Sequence, residues 1–220
     1  MRVQTGIPGL DELIEGGFEE GNITLVTGGT GTGKSTLCMQ FIYNGIVDFN
    51  EKGIYITTEE NALNIKRQSA KFNWNIEELE KDGSLKLIEM EPFDIDTISD
   101  SLSEVVEKMD AKRIVIDSVS VFEMYIQDPF KIRKTLFKII QRIREMNRVC
   151  LVTAEIPEDS KGLSREGVIE FMVDGIILLK YLGIAKYKRS LAIRKMRMTD
   201  HSSDIHPFDI TPQGIEVYSV

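Results

Sequence analysis

Gly28-Gly29-Thr30-Gly31-Thr32-Gly33-Lys34-Ser35 is the stretch whose residue types and spacing most directly offer chemistry. It follows the pattern GxxxxGK[ST], in which glycines let the backbone curl until successive N–H groups face one point. A helix opening at the end of such a loop adds the positive end of its dipole. The chemistry is phosphate binding. Lys34 would reach the terminal phosphates of a nucleotide, and Ser35 would place its hydroxyl on Mg²⁺. Thr30, Gly31, Thr32, Gly33, Lys34, Ser35 and Thr36 are the expected nucleotide-binding residues.

Carboxylates stand at two further places. Asp117 closes the apolar run Arg113-Ile114-Val115-Ile116, the position for an acid that holds the water shell of Mg²⁺. The ordinary alternative is an aspartate that caps the next helix. Glu59 and Glu60 follow the run GIYITT at 53–58. A carboxylate there could orient and deprotonate the water that attacks a γ-phosphate, and two adjacent carboxylates repel, which raises one pKa. The alternative is that Thr58 caps the following helix and the glutamates complement its dipole.

These residues need strands to deliver them and helices to separate the strands. Apolar runs at 23–27, 53–58, 85–88, 113–117 and 149–153 read as buried strands. Helical stretches fall at 35–49 and 61–72. Ile98, Leu102, Val105, Val106 and Met109 share one helical face, as do Ile132, Leu136, Ile139, Ile140 and Ile143. Strands alternating with helices predict βαβ crossovers: an α/β fold with a mainly parallel, twisted sheet and helices on both faces. In such a sheet the strand C-terminal ends gather at one crevice, so Asp117 and the phosphate loop should face each other. After Phe171, strands at 175–181, 188–198, 208–211 and 215–218 are joined by short turns, which predicts an antiparallel extension.

The 220 residues show no repeat and no Pro/Gly/Ser-rich linker, so one domain over 1–220 is expected. With 42% hydrophobic and 28% charged residues, disorder and coiled coil do not describe the chain. Cys38 and Cys150 form no CxxC pair, and His201 and His206 are the only histidines, so neither a disulfide framework nor a zinc site is indicated. Both cysteines are expected to be buried, and Trp74 to be a packing residue. Residues 1–10 lack the apolar core of a signal peptide, and the most apolar stretch, 168–185, is broken by Glu170, Asp174 and Lys180. A cytoplasmic protein without a membrane span is expected.

Together these residues resemble the RecA/RadA superfamily of ATPases, most closely its KaiC-like branch. The opening TGIPGLDELIEGGFEEGNITLVTG is similar to that family's N-terminal signature, GGTGTGKST to its Walker A loop and RIVIDSVS to its Walker B strand. TTEE stands where the family has paired catalytic glutamates, which here are Glu59 and Glu60. Lys195-Met196-Arg197-Met198-Thr199-Asp200-His201 is similar to its KxRGTxH segment, followed by Pro207-Phe208 and Gly214-Ile215. The resemblance implies a RecA-like P-loop fold and hydrolysis of Mg-ATP to ADP and phosphate at subunit interfaces, commonly in a hexameric ring. It implies that Lys195 and Arg197 stabilise the γ-phosphate of a neighbouring subunit, with Thr199 and His201 near ribose and base. Met198 departs from the family glycine and would shift the backbone beside the nucleotide.

The family's two-domain circadian clock member autophosphorylates on an adjacent Ser-Thr pair. The corresponding stretch here, Ile169-Glu170-Phe171-Met172-Val173-Asp174, has no hydroxyl residue, which disfavours a clock-type autokinase. The expected role is a regulatory or assembly switch that acts on an unknown protein partner. The alternatives are an ATP-sensing assembly module that hydrolyses little and a recombinase-related DNA-binding accessory protein. The net charge of −8 disfavours DNA. Basic residues do cluster without acids from Lys180 through Lys186, Lys188, Arg189, Arg194 and Lys195 to Arg197, an interface, a solvated strand face or, least favoured, a nucleic-acid contact. A loop at 157–167, where recombinases place a DNA-binding loop, mixes Lys161 and Arg165 with Glu158, Asp159 and Glu166.

Overall fold

The computed structural model describes residues 1–90, 95–126, 128–157, 160, 162–182 and 187–220, with backbone alone for 95–101. Glu158, Asp159 and Lys161 of the expected loop, Lys186 of the basic run and the side chain of Ile98 lie outside the described residues. In chain order the elements are β1 (Arg2–Val3), β2 (Phe18–Glu19), β3 (Ile23–Gly28), α1 (Lys34–Phe49), β4 (Lys52–Thr57), α2 (Ala62–Ala70), α3 (Ile76–Lys81), β5 (Leu85–Glu89) and α4 (Ile95–Met109). There follow β6 (Ala111–Asp117), α5 (Ser120–Tyr125), α6 (Pro129–Glu145), β7 (Val149–Glu155), β8 (Gly175–Tyr181), β9 (Arg189–Met196), β10 (Ile205–Thr211) and β11 (Gly214–Val217).

Among the described residues, nine strands form one sheet in the order β11-β10-β9-β8-β3-β7-β6-β4-β5. All six residues of the central strand β3 are buried, as a parallel strand covered on both faces requires. Alternate residues divide between two apolar layers. Val26, Tyr55, Val115 and Leu151 pack with Leu37 and Phe41 of α1. Leu25, Ile54, Ile114 and Val152 pack on the other face with Val106 of α4 and Leu136 and Ile140 of α6. The α/β expectation is met, with one correction. Strand 175–181, expected within the antiparallel extension, pairs parallel to β3 on one side and antiparallel to β9 on the other. The extension proper is β9, β10 and β11. The first five residues of β8 are all buried, the unbroken apolar run of a strand covered on both faces that marks its parallel pairing with β3.

The N-terminal segment is tied to the sheet by a buried cation. Arg113 on β6 is fully buried, pairs with Glu51 at 2.6 Å and donates to the carbonyls of Gln4 and Phe41. Burial lowers its pKa, and the Glu51 charge opposes that. Gly45 in α1 leaves the room, because a Cβ there would sit 2.0 Å from the Arg113 Nε. Cys38, Cys150 and Trp74 are buried, and Trp74 stacks on Phe72 at 4.7 Å between ring centres. Among the described residues, no helix is long and apolar enough to cross a membrane.

Candidate functional site

The loop between β3 and α1 has the shape its glycines predict. Gly31 and Gly33 hold φ of 72° and 108°, which side-chain-bearing residues rarely adopt, and α1 opens at Lys34 directly after Gly33. The Lys34 ammonium donates to the carbonyls of Gly28 and Gly29, 3.0 Å each, so the cation sits inside the curl. Burial lowers its pKa, while the charges of Glu155, Asp117 and Glu59 pull it up. Thr32 is buried and donates to the Gly29 carbonyl at 2.9 Å. Thr30 donates to Glu155, the last residue of β7. Gly31 O accepts from the Tyr181 hydroxyl at 2.7 Å and from Arg189 at 3.2 Å.

The carboxylates converge on the same end of the sheet. Thr57 and Asp117 end neighbouring strands in register, as do Gly28 and Glu155. Asp117 Oδ2 accepts from the Tyr55 hydroxyl at 2.5 Å, and Oδ1 accepts from Thr153. Burial and the Asp117 charge push the Tyr55 pKa well up, which keeps it the donor. With one side-chain donor on each oxygen, the Asp117 carboxylate still has lone pairs for further ligands. Ser35, Thr36, Tyr55, Glu60 and Asp117 line a cavity of about 30 Å³, enough for a water or a small hydrated contact. A serine hydroxyl and a carboxylate facing such a space are hard oxygen donors, and they fit Mg²⁺.

Both capping alternatives fail. Asn61, not Thr58, caps α2, its side chain accepting the Asn64 N–H at 2.9 Å. Thr58 instead accepts the Ser118 N–H and donates to the Ser118 carbonyl, tying β4 to the turn after Asp117. Asp117 does not cap α5, which begins three residues later at Ser120, with Val119 at its N-cap position and no side-chain cap bond. The adjacent glutamates diverge. Glu59 accepts from the Ser118 hydroxyl beside Asp117, and Glu60 accepts from Gln68 of α2 at 2.6 Å.

Lys195 and Arg197 are not in this cluster. Gly28 pairs with Leu179 of β8, whereas the Arg197 N–H bonds the Asp174 carbonyl just before β8. Five strand steps separate those points, about 17 Å along the sheet. Lys195 donates to the carbonyls of Glu170 and Val173, and Arg197 bonds the Asp174 carboxylate at 3.2 Å. Burial lowers the Lys195 pKa, and the Arg197 and Arg144 charges lower it further. Thr199 accepts from Arg2 at 3.1 Å, and His201 Nδ1 lies 2.9 Å from the Ser202 carbonyl. Met198 adopts φ of 59° with its side chain exposed. The turn takes a left-handed backbone at Met198, the conformation that glycine adopts most readily. The acid-free basic run is not one patch, because Arg189 meets the phosphate loop while Arg197 stands at the far end of β9.

The geometry is that of a nucleotide-binding α/β sheet, and the sequence comparison narrows it. The family model for the KaiC ATPase matches residues 3–220. The chain belongs to the KaiC ATPase family. A UPF0273 protein of Methanocaldococcus jannaschii is 40% identical over 99% of this chain and 96% of its own length. The circadian clock oscillator protein KaiC of Synechococcus elongatus is 33% identical over 99% of this chain, which spans only 44% of that protein. Among solved structures, the KaiC-like protein PH0186 of Pyrococcus horikoshii superposes with a TM-score of 0.92 at 42% identity. The match covers 100% of this chain and 99% of that one. The fold is thus the RecA-like fold of KaiC-type ATPases.

Several residues that contact the loop and the carboxylates escaped the sequence reading. Thr153 and Glu155 end an apolar strand just as Asp117 does, and the same rule would have marked them. Ser118 directly follows Asp117 and Tyr55 lies four residues before Glu59, but nothing in their spacing shows where their hydroxyls point. Tyr181 and Arg189 reach the phosphate loop across 150 and 158 sequence positions, which no local pattern reports.

Proposed function

We propose that this KaiC-family chain binds Mg-ATP on residues 30–36 and hydrolyses it at the interface between subunits of an oligomeric ring. The nucleotide cycle would serve as a regulatory or assembly switch for a protein partner. Lys34 leaves the Gly28 and Gly29 carbonyls for the β- and γ-phosphates, an exchange of neutral acceptors for charged ones. Mg²⁺ would be held by the Ser35 hydroxyl and, through its water shell, by Asp117; it would supply charge neutralisation at the phosphates. Glu59 and Glu60, fixed by Ser118 and Gln68, would orient and deprotonate the attacking water. Lys195 and Arg197 would complete the γ-phosphate site of the adjacent subunit, with Thr199 and His201 beside its ribose and base.

The observation that carries this reading is the placement of Lys195 and Arg197 at the sheet end remote from their own phosphate loop. A separation of about 17 Å exceeds the reach of an arginine side chain, so within one chain these cations and the nucleotide do not meet. A ring in which one subunit's β9 end abuts the next subunit's phosphate loop brings them together. Turnover of purified protein tests the reading. The rate per subunit should rise with protein concentration as subunits assemble. A hydrolytically active monomer, or an assembled form that binds ATP without turnover, would refute it, the latter favouring a sensing module.

A further inference from the structure

Asp174 precedes β8 and is 8% exposed. Its carboxylate receives two guanidiniums of unequal grip. Arg144 of α6 reaches both oxygens at 3.1 to 3.3 Å and also donates to the Met172 carbonyl at 3.2 Å. Arg197 meets the carboxylate through Nη1 at 3.2 Å, and its side chain remains 54% exposed. Asp174 Oδ2 also accepts the Ile23 N–H at 3.2 Å, and the Asp174 backbone bonds both Ile23 and Arg197. The carboxylate is thus fixed to the start of β3 and holds one guanidinium nitrogen of Arg197, while the Asp174 carbonyl holds the Arg197 backbone.

This arrangement suits aiming better than holding. A carboxylate shared with a forked arginine gives each partner less than a private ion pair would. Arg144 takes the fork geometry, and Arg197 keeps one nitrogen on Asp174 while half its surface faces outward. We propose that Asp174, with Arg144 as counter-charge, is a positioning residue that aims Arg197 at the phosphate of the neighbouring subunit. The role rests on the interface reading above. It makes Asp174 part of what a subunit gives to its neighbour, not part of its own nucleotide site.

Asp174→Asn tests this, because the amide oxygen can still accept the Ile23 N–H while the charge that orients Arg197 is lost. Turnover should fall about 10- to 100-fold, with nucleotide affinity changed less than about 3-fold, since the phosphate loop is untouched. Mixed oligomers then separate aiming from mere structure. Asp174→Asn subunits mixed with Lys34→Ala subunits should regain activity, as should Arg197→Ala subunits mixed with Lys34→Ala. Asp174→Asn mixed with Arg197→Ala should regain none, because both lack the same donated function. A purely structural defect would not be rescued by Lys34→Ala partners, whose phosphate loops are dead. Parent-like turnover in Asp174→Asn overturns the proposal. So does absence of rescue by Lys34→Ala when Arg197→Ala is rescued. If neither is rescued, the interface reading fails and the positioning role with it. Should Asp174→Asn not assemble, Arg144→Met takes its place with the same expected pattern, and full activity in that variant overturns the proposal equally.

Discussion

Arg197 and Lys34 occupy opposite ends of one sheet. Lys34 follows the loop that leaves β3 at Gly28, paired with Leu179, while Arg197 is anchored to Asp174 beside Ile23 at the start of the same strand. The parallel core fixes this relation. Every β3, β6 and β7 C-terminus faces the nucleotide side, and β9, running antiparallel to β8, returns its own C-terminus to the other.

Replacing Glu59 and Glu60 together with Gln should leave ATP bound and slow its hydrolysis by about 10²–10⁴-fold. The amides keep the shape and the bonds from Ser118 and Gln68 but cannot take a proton. Binding and single-turnover measurements check this. Parent-like hydrolysis in the double variant would reduce the glutamates to structural partners of Ser118 and Gln68.

Met198→Gly should stabilise the fold. A left-handed backbone costs a side-chain-bearing residue about 1–2 kcal/mol relative to glycine, offset in part by the greater freedom of glycine in the unfolded chain. Because the Met198 side chain is 83% exposed, little packing is lost. A rise in Tm of about 1–4 °C is expected in the absence of nucleotide. A fall would mean that Met198 makes contacts that its exposure does not suggest.

Glu123 on α5 makes stability depend on pH. It is buried, and neither carboxylate oxygen reaches a hydrogen-bond partner at normal distance. Burial, then the charges of Glu166 and Glu170, push its pKa from 4.5 to about 7, with the Glu166 backbone and Arg165 opposing. The folded state thus holds a proton that the unfolded state releases. The contribution of Glu123 is most favourable below 4.5 and is lost as pH rises through about 7. Glu123→Gln should be more stable than the parent at pH 8 by roughly 1–3 kcal/mol, with the advantage vanishing near pH 4. Denaturant melts at both pH values check it, and an advantage independent of pH would contradict it.

How much was legible in the sequence follows from how local each feature is. The phosphate loop is eight consecutive residues, and Asp117 and the glutamates end apolar runs, so chemistry and position could be read together. Helices α3 and α5 have six residues each, too few for a helical period to show. The ladder Thr153–Asp117–Tyr55 joins three strands that are neighbours only after folding. Asp174 looked like a charge interrupting an apolar stretch; only the register of β8 against β9, which brings Arg197, and the packing of α6, which brings Arg144, show the two arginines it serves.

Subunit mixing tests the central claim most directly. Lys34→Ala should abolish tight ATP binding, because it removes the mobile cation aimed at the β- and γ-phosphates. Arg197→Ala should keep binding and lose most turnover, since a cation of this kind contributes about 10³–10⁵ in rate. Each variant alone should be nearly inactive. Mixed under proven subunit exchange, some interfaces join an intact phosphate loop to an intact Arg197, and part of the parent ATPase rate should return. A mixture no more active than its separate components would contradict hydrolysis across the subunit interface.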